Sequence, residues 1–116
     1  MSLLEELAAL GADLEDALAR FMDNSALYEK MLKKLPPMLE QVPVLEYIES
    51  GDMDTALSNA HTIKGVVGNL SLVPLHDAYT EIVDLFRDGD IDKAKEVLKG
   101  ILGTQQDMVD CINKYI

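Results

Sequence analysis

The chain has 116 residues, 48% hydrophobic and 27% charged, which is ordinary globular composition and one domain's worth of chain. A single cysteine, Cys111, excludes an internal disulfide framework and a zinc site built from several cysteines. The formal net charge is −11, from 21 acidic and 10 basic residues, and the only cationic cluster is Lys30, Lys33 and Lys34. Nucleic acid and anionic membranes are therefore not expected as partners.

No run approaches the roughly 20 apolar residues of a membrane span. The opening Met-Ser-Leu-Leu-Glu-Glu lacks a basic region followed by an apolar stretch, so no signal peptide is expected and the protein is read as cytoplasmic. In chain order, Leu3, Leu4, Leu7 and Leu10 repeat at helical spacing until Gly11. A short helix follows Asp13 with Leu14, Ala17, Leu18 and Phe21. Asn24 or Ser25 caps the next, whose apolar stripe is Leu27, Tyr28, Met31, Leu32 and Leu35. Pro36-Pro37 is expected to end or bend it. Met38 to Glu49 resumes helical spacing, with a kink expected at Pro43.

Gly51-Asp52-Met53-Asp54 and Gly89-Asp90-Ile91-Asp92 are both turn-then-cap signatures. Asp52 thus opens a helix to about Leu70. After a break at Ser71 to Pro74, another helix carries Leu75, Tyr79, Ile82, Val83 and Phe86, and a last one runs from Asp90 toward Tyr115. No segment alternates with period two. The fold class is all-α: an antiparallel up-and-down four-helix bundle with short additional N-terminal helices. We expect one domain over 1–116, with the short helices in 1–23 and the bundle in 24–116.

The segment Ala60-His61-Thr62-Ile63-Lys64-Gly65-Val66-Val67-Gly68-Asn69-Leu70 stands apart. At about 100° per residue, Ala56, Ala60, Ile63, Val66, Val67 and Leu70 form a core face. His61, Lys64, Gly65 and Gly68 form a second stripe at i, i+3, i+4 and i+7. Each mid-helix glycine costs about 1 kcal/mol relative to alanine. On the bland reading they permit close packing inside the domain. On the functional one they clear one flank of the histidine for a bulky group or a second protein. Lys64 is the only Lys or Arg between Leu35 and Phe86, among eight acidic residues.

The ordinary reading of His61 is a satisfied or solvated histidine; its chemical alternatives are metal ligand, general base or nucleophile. A metal site lacks partners, since the only other histidine is His76, to which no role is assigned, and no cofactor is expected. A Ser-His-Asp or Cys-His device lacks a nucleophile motif. What remains is an imidazole that attacks phosphorus, carries the phosphoryl group as an N–P bond and hands it on, with Lys64 one turn away as cationic compensation.

Here the sequence resembles the histidine-containing phosphotransfer (HPt) domains of bacterial multistep phosphorelays, through its A-H-T-hydrophobic-K-G-x-x-G-N-hydrophobic run. Leu18-Ala19-Arg20-Phe21, Leu27-Tyr28 and Arg87-x-Gly89-Asp90 match weaker family patterns. The resemblance implies a four-helix bundle with His61 as phosphoacceptor, Lys64 and Gly65 supporting the phosphoryl group, and Gly68 letting a receiver domain dock. It implies a phosphoprotein of two-component signal transduction that carries no kinase core and is no enzyme. The implied partners are response-regulator receiver domains and hybrid sensor kinases, met by a monomer. Leu57 and Leu72, on the His61 side of the wheel, are read as an apolar docking rim, the bland alternative being that both are core residues against the preceding helix. Ser71 and Val83 depart from the family pattern, at positions where glycine and an acidic residue are frequent. The alternative function is a non-transferring adaptor that binds or sequesters a receiver.

Overall fold

Eight helices build the protein in a computed structural model that describes residues 2–116. The first five are short: α1 (Leu3–Ala9), α2 (Leu14–Arg20), α3 (Ser25–Leu32), α4 (Leu35–Gln41) and α5 (Leu45–Ser50). The last three are long: α6 (Met53–Asn69), α7 (Val73–Arg87) and α8 (Ile91–Asn113). The punctuation is chemical. Ser2, Asp13, Asn24, Asp52 and Asp90 each accept a backbone N–H of the following first turn through the side chain. Gly51 and Gly89 take the left-handed conformation that reverses the chain before α6 and α8.

α6, α7 and α8 form two consecutive antiparallel hairpins with α7 in the middle. α5 packs on α6 and α8, α4 and α1 pack on α8, and α2 packs on α3. The result is an all-α bundle whose remaining wall is segmented. No helix among the described residues is long and apolar enough to cross a membrane.

Two proline expectations need correction. Pro36-Pro37 does not end a helix: the break falls at Lys33-Lys34, and the prolines occupy the first turn of α4, where a missing N–H costs nothing. Pro43 does more than kink: α4 stops at Gln41 and α5 starts at Leu45. The Pro43 carbonyl, freed from helical bonding, accepts from Asn59 Nδ2 at 2.7 Å. Short helices thus extend to Ser50, well past residue 23.

The core is continuous from end to end. Leu3, Leu7 and Ala17 of the short helices are buried in the same cluster as Ile63, Val67, Ile82, Val83 and Leu98. Leu27, expected in the buried stripe of α3, is exposed, while Tyr28, Leu32 and Leu35 are buried. Tyr28 reaches across the bundle and donates its hydroxyl to the Leu70 carbonyl at 2.7 Å. Phe21 leans on the Tyr28 ring with centroids 5.3 Å apart.

Candidate functional site

The α6–α7 connection fixes the geometry around the histidine. α6 ends with Leu70 as its C-cap, and Ser71 then adopts a left-handed φ of 54°, which explains why a glycine would suit this position. Ser71 is buried, and its hydroxyl donates to Asp16 Oδ2 of α2 at 2.6 Å. Its carbonyl accepts the Asp13 N–H at 3.0 Å. Arg20 Nε donates to the same Asp16 oxygen at 2.8 Å. These bonds hold the Asp16 carboxyl below its usual range, Ser71 contributing most and Arg20 next. The short helix α2 is thereby laid against the C-terminal end of α6, with a guanidinium at its tip.

The resulting open pocket of about 340 Å³ is lined from three elements. His61, Lys64, Gly65, Gly68 and Asn69 come from α6; Asp16 and Arg20 from α2; Ser71, Val73 and His76 from the turn into α7. All four members of the second stripe lie on this one pocket, while Ala56, Ala60, Ile63 and Val67 are buried on the opposite face. Val66, assigned to the core face, is only partly buried. His61 is exposed, and its ring makes no hydrogen bond among the described residues. Lys64 is half-buried and forms no ion pair among them. Helical side chains lean toward the N-terminus, so Lys64 leans back toward His61.

The two glycines differ. A Cβ on Gly65 would meet nothing within 4 Å, so the flank of His61 at i+4 is open. A Cβ on Gly68 would stand 2.8 Å from Cδ2 and 3.1 Å from Nε2 of His76. The space at i+7 is filled from within, which fits the bland reading of close packing inside the domain at this glycine.

Leu72 also needs correction. It is fully buried, because α6 ends before it and the left-handed turn at Ser71 drives its side chain into the core, so it cannot form a docking rim. Leu57 is partly buried and packs against the core. The apolar group at the pocket is Val73, 39% exposed. Val83 is likewise a core residue. Burial raises the pKa of the Cys111 thiol, leaving it a poor nucleophile.

Sequence reasoning passed over Asp16, Arg20 and His76. Arg20 was signalled only through the weak Leu18-Ala19-Arg20-Phe21 pattern. For His76 a signal existed: Pro74 marks the start of α7, and a residue one turn in faces back toward the end of α6. The arrangement is an exposed imidazole with one open flank, an ammonium group one turn along and a guanidinium on the facing wall. It suits holding a small anion against a histidine nitrogen.

The family model described as Hpt domain matches residues 1–113 of the chain. No curated protein and no solved structure matches it.

Proposed function

The chain belongs to the Hpt domain family, whose members serve histidine phosphotransfer in phosphorelays, and from that premise we propose that His61 accepts a phosphoryl group from a receiver-domain aspartate and passes it to the aspartate of another receiver. An unprotonated nitrogen of His61 attacks phosphorus in line. The N–P bond forms as the acyl-phosphate P–O bond breaks, and the electron pair leaves with the aspartate carboxylate. The reverse sequence delivers the group to the next receiver. Lys64 compensates the phosphoryl charge, and Gly65 leaves room for the group and for the incoming receiver.

The observation that carries this reading is the exposed, unpartnered His61 ring, with open space over Gly65 and Lys64 on the same pocket. The net charge of −11 faces a receiver pocket that is itself acidic, so contact is confined to this local cationic and apolar patch. The protein works as a carrier and not as a kinase, as a monomer in the cytoplasm, supplied by the receiver domains of hybrid sensor kinases.

The test is to mix the chain with a phosphorylated receiver and follow the label. Acid-labile, base-stable label on the wild type, absent from His61→Gln, is the expected result. Label that persists on His61→Gln overturns the assignment, and receiver binding without label on the wild type points to an adaptor instead.

A further inference from the structure

The Gly68–His76 contact assigns a job to a residue that the phosphotransfer reading does not use. A glycine inside a helix is unfavourable, and Gly68 is spared a side chain at the one place where another part of the same chain lies against it. What lies there is an imidazole from the first turn of α7, on the pocket that also holds His61. The His76 backbone is well anchored, its N–H bonded to the Leu72 carbonyl and its carbonyl accepting the Thr80 hydroxyl at 2.7 Å. The ring is not: it is half-buried and makes no hydrogen bond among the described residues. The charged neighbours on the pocket are Lys64 from α6 and Asp16 and Arg20 from α2, and Asp16 is engaged by Ser71 and Arg20.

We propose that His76, seated on Gly68, is a receiver-contact residue that helps determine which receivers dock, and that Gly68 is small to hold this ring in place. The inference rests on the reading of His61 as phosphoacceptor. Size makes the contact hard to avoid. Gly68 lies about 10 Å along α6 from His61. A partner burying about 800 Å² covers a disc of about 16 Å radius. A receiver centred on His61 therefore covers His76 as well, and meets a half-buried ring that makes no hydrogen bond among the described residues. Val73, exposed on the same side, supplies the adjoining apolar contact.

The test combines His76→Ala, Gly68→Ala and the double variant, assayed by transfer from phosphorylated receivers at varied concentration. His76→Ala is expected to raise the receiver concentration for half-maximal transfer about fivefold, with the saturated rate within about twofold of wild type. Gly68→Ala is expected to push the ring outward, shifting the His76 imidazole proton resonances, and to reproduce the same loss. The double variant is expected to be no worse than His76→Ala, because the added methyl has no ring left to strike. Transfer indifferent to His76→Ala overturns the contact. A Gly68→Ala loss that is equally large with and without His76 overturns the seating, since the partner itself then needs the glycine. Wild-type protein that takes no label from any receiver sinks the phosphotransfer reading and this inference together, whereas normal labelling with either result above sinks this inference alone.

Discussion

The two halves of the chain solve the same burial problem with different parts. Residues 53–113 use three helices of 17, 15 and 23 residues, joined by three-residue connections. Residues 3–50 use five helices of six to eight residues. Helices below about 12 residues are marginal alone in water, so the first half is ordered mainly by what it docks on. The site draws on both. The long half presents His61 and Lys64 from an unbroken helix, while the short half supplies one wall, through Asp16 and Arg20. The candidate histidine is thus held on an unbroken 17-residue helix, and one wall of its pocket hangs on a short helix ordered by docking.

The sharpest way to break that comparison is to open equal holes in both halves. Ile82 and Leu7 are each fully buried. Ile82→Ala in α7, packed between two helices, is expected to cost about 3–4 kcal/mol in denaturant unfolding. Leu7→Ala, in a seven-residue helix that can shift on α8, is expected to cost about 2–3 kcal/mol and to lower hydrogen-exchange protection chiefly in α1. Equal losses spread over the whole chain would erase the distinction.

Alkaline unfolding tests the tie between the halves. Burial raises the pKa of the Tyr28 hydroxyl to about 12. The same burial takes the Tyr79 hydroxyl to about 12, although its bond to Gln105 works the other way. Both values lie above the unfolded tyrosine value near 10. The folded state therefore holds these protons more tightly. Their contribution, on the order of 2 kcal/mol each, is intact below pH ~10 and is lost as pH rises toward about 12. Tyr28→Phe is expected to cost about 1–2 kcal/mol at neutral pH, by stripping the Leu70 carbonyl of its partner, and to make the alkaline fall shallower. A pH profile unchanged in that variant would remove Tyr28 from the account.

The smallest effect is expected at the corner of the site. Ser71→Ala removes the hydroxyl from Asp16 while keeping the unfavourable left-handed φ; Ser71→Gly loses the same bond and relieves the backbone. Thermal unfolding should rank wild type and Ser71→Gly close together and Ser71→Ala below both. The acid limb should also change. The Asp16 carboxyl is held down chiefly by Ser71, so its contribution is present above the ordinary aspartate range and fades as pH falls below it. Removing the hydroxyl should make that fade shallower. An acid limb identical to wild type would mean that Ser71 does little for Asp16.

Much of this fold is legible in the sequence. Asp13, Asn24, Asp52 and Asp90 announced helix starts because a short polar side chain has few other places to satisfy first-turn N–H groups. Gly11, Gly51 and Gly89 announced stops because each carries a positive φ. The prolines misled because proline is as comfortable in a helix's first turn as just past its end, and local pattern does not say which. Leu72 misled because a helical wheel was extended beyond the residue where the helix stops. Close packing at Gly68 is one of the two readings its place in the helix allows, but the ring it packs against comes from across a turn, and no periodicity within α6 encodes that partner.

The corner at Gly11 has a practical consequence for anyone choosing where to cut or fuse this chain. Gly11 sits so close to Pro74 that a Cβ there would be 2.6 Å from the proline ring, and two further bonds join the next few residues to Ser71. The opening segment is therefore riveted to the far end of α6. A fragment begun at residue 24 would keep every letter of the histidine signature and yet lack the aspartate and arginine beside it, so a truncation judged by motif alone would discard one wall of the enclosure while seeming complete.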